Sequence, residues 1–236
     1  MLHRLLADQP FALPSSCALC GAEHRTALCD GCRSQFFSTR KPRCACCGTP
    51  LPGATADTRC GECLKQPPAF DATVVATDYL PPVDRLVLAL KFGNRLEVAP
   101  MFAQMLHAST KGMLLPHLLT AVPLGPQRLV QRGFNQALEI AKPLSRHMRV
   151  KLEAHLVARH KETHAQAMLH PDERQKNIRN AFVVPAPAMQ RVSGRHIGVV
   201  DDVMTTGETL NELAATLKRF GAVRVTNIVF ARTPQH

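Results

Sequence analysis

The 236-residue chain has no tryptophan, a single tyrosine and only 5% aromatic residues. So few flat side chains cannot build a long stacking platform for nucleic-acid bases, although the formal net charge is +11. Lysine and arginine are scattered with no run of four, which excludes a basic tail. No uninterrupted apolar segment reaches the about 18 residues that a membrane-crossing helix needs, and the opening Met1-Leu-His-Arg-Leu-Leu-Ala-Asp8 is too short and polar for a secretory leader. The expectation is a soluble, cytoplasmic protein without membrane insertion. Low-complexity tracts are absent as well, and cysteine is absent after Cys63.

What is present before that point is nine cysteines, eight of them as Cys17-x2-Cys20, Cys29-x2-Cys32, Cys44-x2-Cys47 and Cys60-x2-Cys63, with Cys46 left over. Two intervening residues let both thiolates of a knuckle reach one tetrahedral ion, and a second knuckle closes the site. Four pairs imply up to two zinc ions. They join in sequence or interleave; spacing leaves both open. An iron–sulfur cluster or a redox dithiol is the alternative, but repeated knuckles in a reducing compartment favour zinc. Four thiolates leave no place for water, so the metal is structural, and with few aliphatic residues beside it the module draws much of its folding free energy from metal, on the order of 10 kcal/mol per site. Gly31, Gly48 and Gly61 each stand beside a knuckle and suit a tight turn, while His24 reads as a surface histidine. With eight thiolates on two zinc ions the net charge falls to about +7. That is still basic, and attraction to nucleic acid through phosphate follows from it.

The cysteine boundary divides the chain into a module over residues 1–68, ending at Pro67-Pro68, and a larger domain over 69–236. In the second part the pattern alternates: a strand over Phe70–Tyr79, a helix from Pro81-Pro82 through Leu90 closed by Lys91-Phe-Gly93, a helix over 96–115, a strand over Leu118–Val122, a helix over about 134–148 and a last strand over Val223–Phe230. Such alternation requires a parallel α/β sheet flanked by helices.

The strongest chemical signal is Ile197-Gly-Val-Val-Asp201-Asp202-Val-Met-Thr205-Thr206-Gly207-Glu208-Thr209-Leu210. Ile197, Val199 and Val200 suit a strand covered on both faces, and Leu210, Leu213, Ala214 and Leu217 recur at helical spacing, so the turn between lies at a strand's carboxyl end. In an open α/β sheet ligands bind at that edge, where a helix N-terminus offers unpaired N–H groups to an anion. Thr205, Thr206 and Thr209 supply hydroxyls, and Gly207 permits close approach and positive φ. Asp201 and Asp202 repel a phosphate and therefore suit another part of the same ligand, either vicinal hydroxyls or a magnesium ion.

This string resembles the phosphoribosyl-pyrophosphate signature of type I phosphoribosyltransferases, in which two acids after a hydrophobic strand hold ribose hydroxyls and the following loop, here Thr205, Thr206, Gly207, Glu208 and Thr209, wraps the 5′-phosphate. Together with Ala121-Val-Pro123-Leu-Gly-Pro-Gln-Arg128-Leu-Val-Gln-Arg132-Gly133-Phe134-Asn135-Gln136, and with Thr163, Gln166, Leu169, Arg174, Asn177 and Ala181-Phe182, it makes the chain resemble the ComF/GntX-like family from Cys17 to Arg232. The resemblance implies a zinc module in front of a type I phosphoribosyltransferase fold, phosphoribosyl pyrophosphate and magnesium as ligands, and, for competence members, a link to DNA uptake in natural transformation. It also places a pyrophosphate loop after Val122, for which Arg128 and Arg132 are suited because a guanidinium pairs bidentately with phosphate oxygens. Asn135 and Gln136 serve the same loop or cap and orient it. Residues 159–179, basic around Gln166, resemble the segment that covers the site in such enzymes.

Three functional readings follow. One is a transferase that carries a phosphoribosyl group to a nitrogen acceptor, with Asp201 and Asp202 as the catalytic acids. Another is a DNA-uptake factor whose zinc module and basic surface bind single-stranded DNA or a helicase-like partner. The third is a sensor of phosphoribosyl pyrophosphate on the same scaffold.

Overall fold

A computed structural model describes residues 15–37, 41–55, 57–160 and 180–234. The cysteine-rich part opens with a two-residue hairpin, β1 (Ser15–Ser16) against β2 (Glu23–His24), followed by helices α1 (Asp30–Phe37) and α2 (Gly61–Lys65). Each ribbon uses its two knuckles differently. The leading knuckle is closed by a left-handed glycine, Gly21 (φ 76°) after Cys20 and Gly48 (φ 70°) after Cys47, whereas the trailing one opens a helix, with Gly31 and Gly61 inside those helices. Of the three glycines expected to turn a knuckle, then, only Gly48 does so. The helical knuckles need no positive φ.

The larger part is built on β3 (Ala72–Asp78), α3 (Val83–Phe92), α4 (Val98–Ser109), β4 (Leu118–Ala121), α5 (Pro126–Arg132), α6 (Gln136–Met148) and β5 (Lys151–Leu152). A ribbon of β6 (Ala158–Arg159) and β7 (Phe182–Val183) follows, then α7 (Met189–Val192), β8 (His196–Met204), α8 (Glu208–Arg219) and β9 (Arg224–Arg232). Five strands form one all-parallel sheet in the order β3-β9-β8-β4-β5. The central pair, β8 and β9, is buried along nearly its whole length, which is why residues 197–200 and 228–231 read as apolar runs.

Helices cover both faces. Leu86, Leu90, Phe102, Leu106, Ile140 and Leu144 fill one side, where the Phe102 and Phe230 rings stack at 3.5 Å. Leu210, Leu213 and Leu217 of α8 fill the other with Val199, Val225 and Val229. The helix expected over 96–115 ends six residues early, because the Thr110 hydroxyl donates to the His107 carbonyl and Gly112 turns left-handed at φ 84°. No helix among the described residues is long and apolar enough to cross a membrane.

Candidate functional site

The first ribbon gathers Cys17, Cys20, Cys29 and Cys32 and the second Cys44, Cys47, Cys60 and Cys63, the four sulfurs of each lying within 4.8 Å of one another. The pairs therefore join in sequence and do not interleave. Backbone amides point at the sulfurs, Cys29 N donating to Cys17 Sγ (3.4 Å) and Cys60 N to Cys44 Sγ (3.2 Å). Burial raises the Cys17 and Cys44 thiols, but these and neighbouring backbone donors outweigh it and bring them down to about 6 and about 7. In the same clusters burial and the neighbouring sulfurs push Cys32 up to about 12 and raise Cys63. Four sulfurs that close cannot all ionise without a cation between them, so each donor set fits structural zinc. His24 stays outside, its Nδ1 bonded to Thr26 Oγ1 at 2.9 Å.

At the carboxyl edge of the sheet, β8 carries Asp201 and Asp202 within its last four residues, and the chain then turns through Thr205–Gly207 into α8. Gly207 sits at φ 92°, just before the helix. A Cβ there would meet Met204 Cε at 2.5 Å, so both backbone and space require glycine. Gly207 has no side chain to cap α8; Glu208 N donates to Thr206 Oγ1 at a long 3.5 Å, and the first turn closes through Asn211 N to the Gly207 carbonyl at 2.8 Å. The turn faces a cleft of about 220 Å³ lined by Tyr79, Lys91, Asp201, Thr205, Thr206 and Thr209, with Gly207 and Glu208 also on its wall.

The two acids differ. Asp201 faces the cleft, and burial together with its neighbour Asp202 raises its carboxyl well above the usual carboxylate range. Asp202 lies beneath, 2% exposed, with Oδ1 accepting from Val203 N and Oδ2 ion-paired to Lys91 Nζ at 2.8 Å. Lys91 comes from the end of α3 and was not among the residues singled out from sequence. The signal was there: a lysine closing a helix whose Val83, Leu86, Val87 and Leu90 are all buried.

Beyond Lys91 lies a second pocket of about 660 Å³, lined by Tyr79, Phe92, Asn94, Arg128, Gln131 and Arg132. Tyr79 and Lys91 line both pockets, so the threonine turn and the two arginines stand on either side of these two side chains. Arg132 lies over the Phe92 ring at 5.3 Å and donates to Gln136 Oε1 at 2.6 Å. Burial lowers its pKa against the opposing pull of Asp202. Asn135 caps α6 by accepting from Ala137 N and Leu138 N, and its amide donates to the Val122 carbonyl at 3.0 Å. Asn135 and Gln136 thus orient this wall. Of the basic segment over 159–179, residues 161–179, including Thr163, Gln166, Leu169, Arg174 and Asn177, lie outside the described residues.

Two family models match the chain: one described as a double zinc ribbon domain over residues 10–64, and one described as a phosphoribosyl transferase domain over 135–236. The class is therefore a phosphoribosyltransferase-type α/β domain behind a double zinc ribbon. The DNA utilization protein YhgH of Escherichia coli (strain K12) is 37% identical over 230 residues, covering 94% of this chain and 98% of that protein. Competence protein F of Haemophilus influenzae is 33% identical over 207 residues, covering 85% and 88%. Among solved structures, the glutamine phosphoribosylpyrophosphate amidotransferase from B. subtilis, complexed with ADP and GMP, aligns with 56% of this chain and 26% of its own at 15% identity and a TM-score of 0.38. On the full-length relatives, the chain belongs to the ComF/GntX-like family.

Proposed function

We propose that the cleft binds phosphoribosyl pyrophosphate with magnesium and serves phosphoribosyl transfer to an acceptor in the use or uptake of DNA. The observation that carries this reading is adjacency: a threonine-rich turn at a helix N-terminus, a cleft-lining carboxyl and a two-arginine wall line neighbouring pockets that share Tyr79 and Lys91. A 5′-phosphate is met by the amides and hydroxyls of Thr205, Thr206, Gly207, Glu208 and Thr209. Asp201 accepts from the ribose hydroxyls, and Asp202 acts from below by fixing Lys91. Arg128 and Arg132 take the pyrophosphate, Arg132 being already oriented by Gln136.

Asp201 fits magnesium too, as an oxygen donor whose pKa burial and Asp202 raise and which a bound cation would bring down. When bound, the ion supplies charge neutralisation for the departing pyrophosphate. The residues themselves contribute positioning and preorganised charge: the turn anchors one end of the ligand, Lys91 and the arginines stabilise negative charge at the other, and the anomeric carbon is left between. The names of the relatives, DNA utilization protein and Competence protein F, support the DNA setting. The mean basicity of the chain is compatible with DNA as a partner, and the absence of a membrane-crossing helix among the described residues with a cytoplasmic location.

The test is calorimetric titration of the zinc-loaded protein with phosphoribosyl pyrophosphate and magnesium beside Asp202→Asn. Micromolar binding that the substitution weakens at least tenfold is the expected result. No heat from either folded protein would overturn the ligand assignment and leave salt-dependent DNA binding as the activity to measure.

A further inference from the structure

Arg232, the last residue of β9, is 1% exposed and makes contacts that the proposed chemistry does not use. Its Nε donates to the Cys47 carbonyl in the second ribbon at 3.3 Å. Its Nη1 donates to the carbonyls of Met204 (3.1 Å), Thr205 and Thr233 (3.0 Å). One buried guanidinium thus joins a zinc knuckle to the first residues of the phosphate turn. No carboxylate lies within ion-pair distance of it among the described residues, so these carbonyls and the thiolate site carry the whole task of holding a buried cation. That arrangement tolerates little displacement of any partner.

The ribbon is fixed to the sheet on its other side. Arg43 donates to the Gly48 carbonyl at 3.0 Å and pairs with Asp78 at 2.7 Å, and Lys41 pairs with the same carboxylate at 2.7 Å. The absent Cβ of Gly48 lets the knuckle rest on Val75, which an added Cβ would meet at 2.5 Å. Between ribbon and turn runs a groove of about 450 Å³ with Cys47, Cys63 and Phe70 on one wall and Thr206 and Gly207 on the other. The first ribbon instead packs its Cys17, Leu28 and Cys32 into the core under α3 and α4, and no hydrogen bond joins it to residues 204–209 among the described residues.

We infer that the second zinc ribbon positions the phosphate turn through Arg232, so that metal occupancy at Cys44, Cys47, Cys60 and Cys63, and not at the first site, sets how ordered the turn is and how tightly it holds a phosphorylated ligand. With zinc bound, the knuckle holds the Cys47 carbonyl where Nε reaches it, and Nη1 holds the Met204 and Thr205 carbonyls, which orients the amides that follow. With the metal lost, the knuckle no longer fixes that carbonyl, and the guanidinium has reason to move with it. The ligand part of this inference rests on the phosphoribosyl reading above; the ordering of the turn does not.

The experiment compares full-length wild type, Cys20→Ser, Cys60→Ser and Arg232→Lys for zinc content, amide hydrogen exchange over residues 204–209, and affinity for phosphoribosyl pyrophosphate with magnesium. Cys60→Ser and Arg232→Lys are expected to speed exchange in that segment and weaken affinity, each about tenfold, the loss of one well-formed contact to a charged group. Cys20→Ser is expected to leave both within about twofold, a change under half a kcal/mol. Arg232→Lys keeps both zinc ions, so a change in exchange confined to 204–209 marks positioning, whereas general loosening would release metal as well. Equal effects of the two cysteine substitutions, or native exchange over 204–209 in a two-zinc Arg232→Lys protein, would overturn the inference. The cysteine pair leaves Arg232 in place and decides the matter even if the lysine variant does not fold. Wild-type protein that ignores phosphoribosyl pyrophosphate would remove the ligand reading, while the exchange comparison would still decide whether the ribbon orders the turn.

Discussion

At the scale of single residues the cleft is costly to keep. Burial and the adjacent Asp202 raise the Asp201 carboxyl above its ordinary value of 3.8, so the folded protein holds that proton more tightly than the unfolded chain does. The associated stability is fully present below that ordinary value and is lost as pH rises through the raised one. Asp201→Asn is therefore expected to raise the melting temperature at pH 7 and to lose that advantage below about pH 4, where both states of the wild type are protonated. Melts across pH, with phosphoribosyl pyrophosphate affinity measured on the same samples, check the pattern; a variant less stable at pH 7 would contradict it. Gly207→Ala places a side chain at φ 92° against Met204 and is expected to cost about 1–2 kcal/mol of stability and most ligand affinity. Gly207 and Asp201 were legible in sequence because residue type and chemistry coincide within one short string. Lys91 was not, because its partner Asp202 comes from a distant part of the chain and only the fold brings them to 2.8 Å. Arg232 was hidden for a related reason: after the apolar run of β9 an arginine reads as a strand leaving the core, whereas it is buried by the ribbon laid over it.

At the scale of elements, α3, α5, β8 and α8 converge because their ends meet at one edge of the parallel sheet, and the Lys91–Asp202 pair ties the first of them to the third. Lys91→Met strands a buried carboxylate and is expected to cost about 2 kcal/mol, less than for a fully enclosed pair because 22% of the lysine side chain is exposed. Adding Asp202→Asn should restore part of that stability; denaturant titration of the two single variants and the double one measures the coupling, and strictly additive losses would contradict a shared ion pair. The alternation of strands and helices was readable from apolar spacing, and most boundaries fell within two residues. The early end of α4 was not, since Thr110 and Gly112 stop the helix by local hydrogen bonding and backbone geometry while the apolar pattern runs on to Leu115. Knuckle pairing was also beyond the sequence, because two residues between cysteines is the same spacing in sequential and interleaved sites.

At the scale of the whole molecule, two cysteine ribbons are attached in different ways to one α/β domain. The first shares its core under α3 and α4, and the second is bolted to the ends of β3 and β9 by Asp78 and Arg232. Metal analysis is expected to find two zinc ions per chain, falling to one in either Cys20→Ser or Cys60→Ser. Chelation should unfold the ribbons while β8 and β9, buried at the sheet centre, keep their amide protection; full protection of the ribbons without metal would contradict a structural role for zinc. The central claim is that one cleft takes a phosphoribosyl ligand from end to end, and its most direct test is a crystal structure of the zinc-loaded protein with phosphoribosyl pyrophosphate and magnesium. The account predicts a 5′-phosphate on the turn Thr205–Thr209, ribose hydroxyls at Asp201 and pyrophosphate facing Arg128 and Arg132. Ligand bound elsewhere, or an empty cleft at saturating ligand, would contradict it.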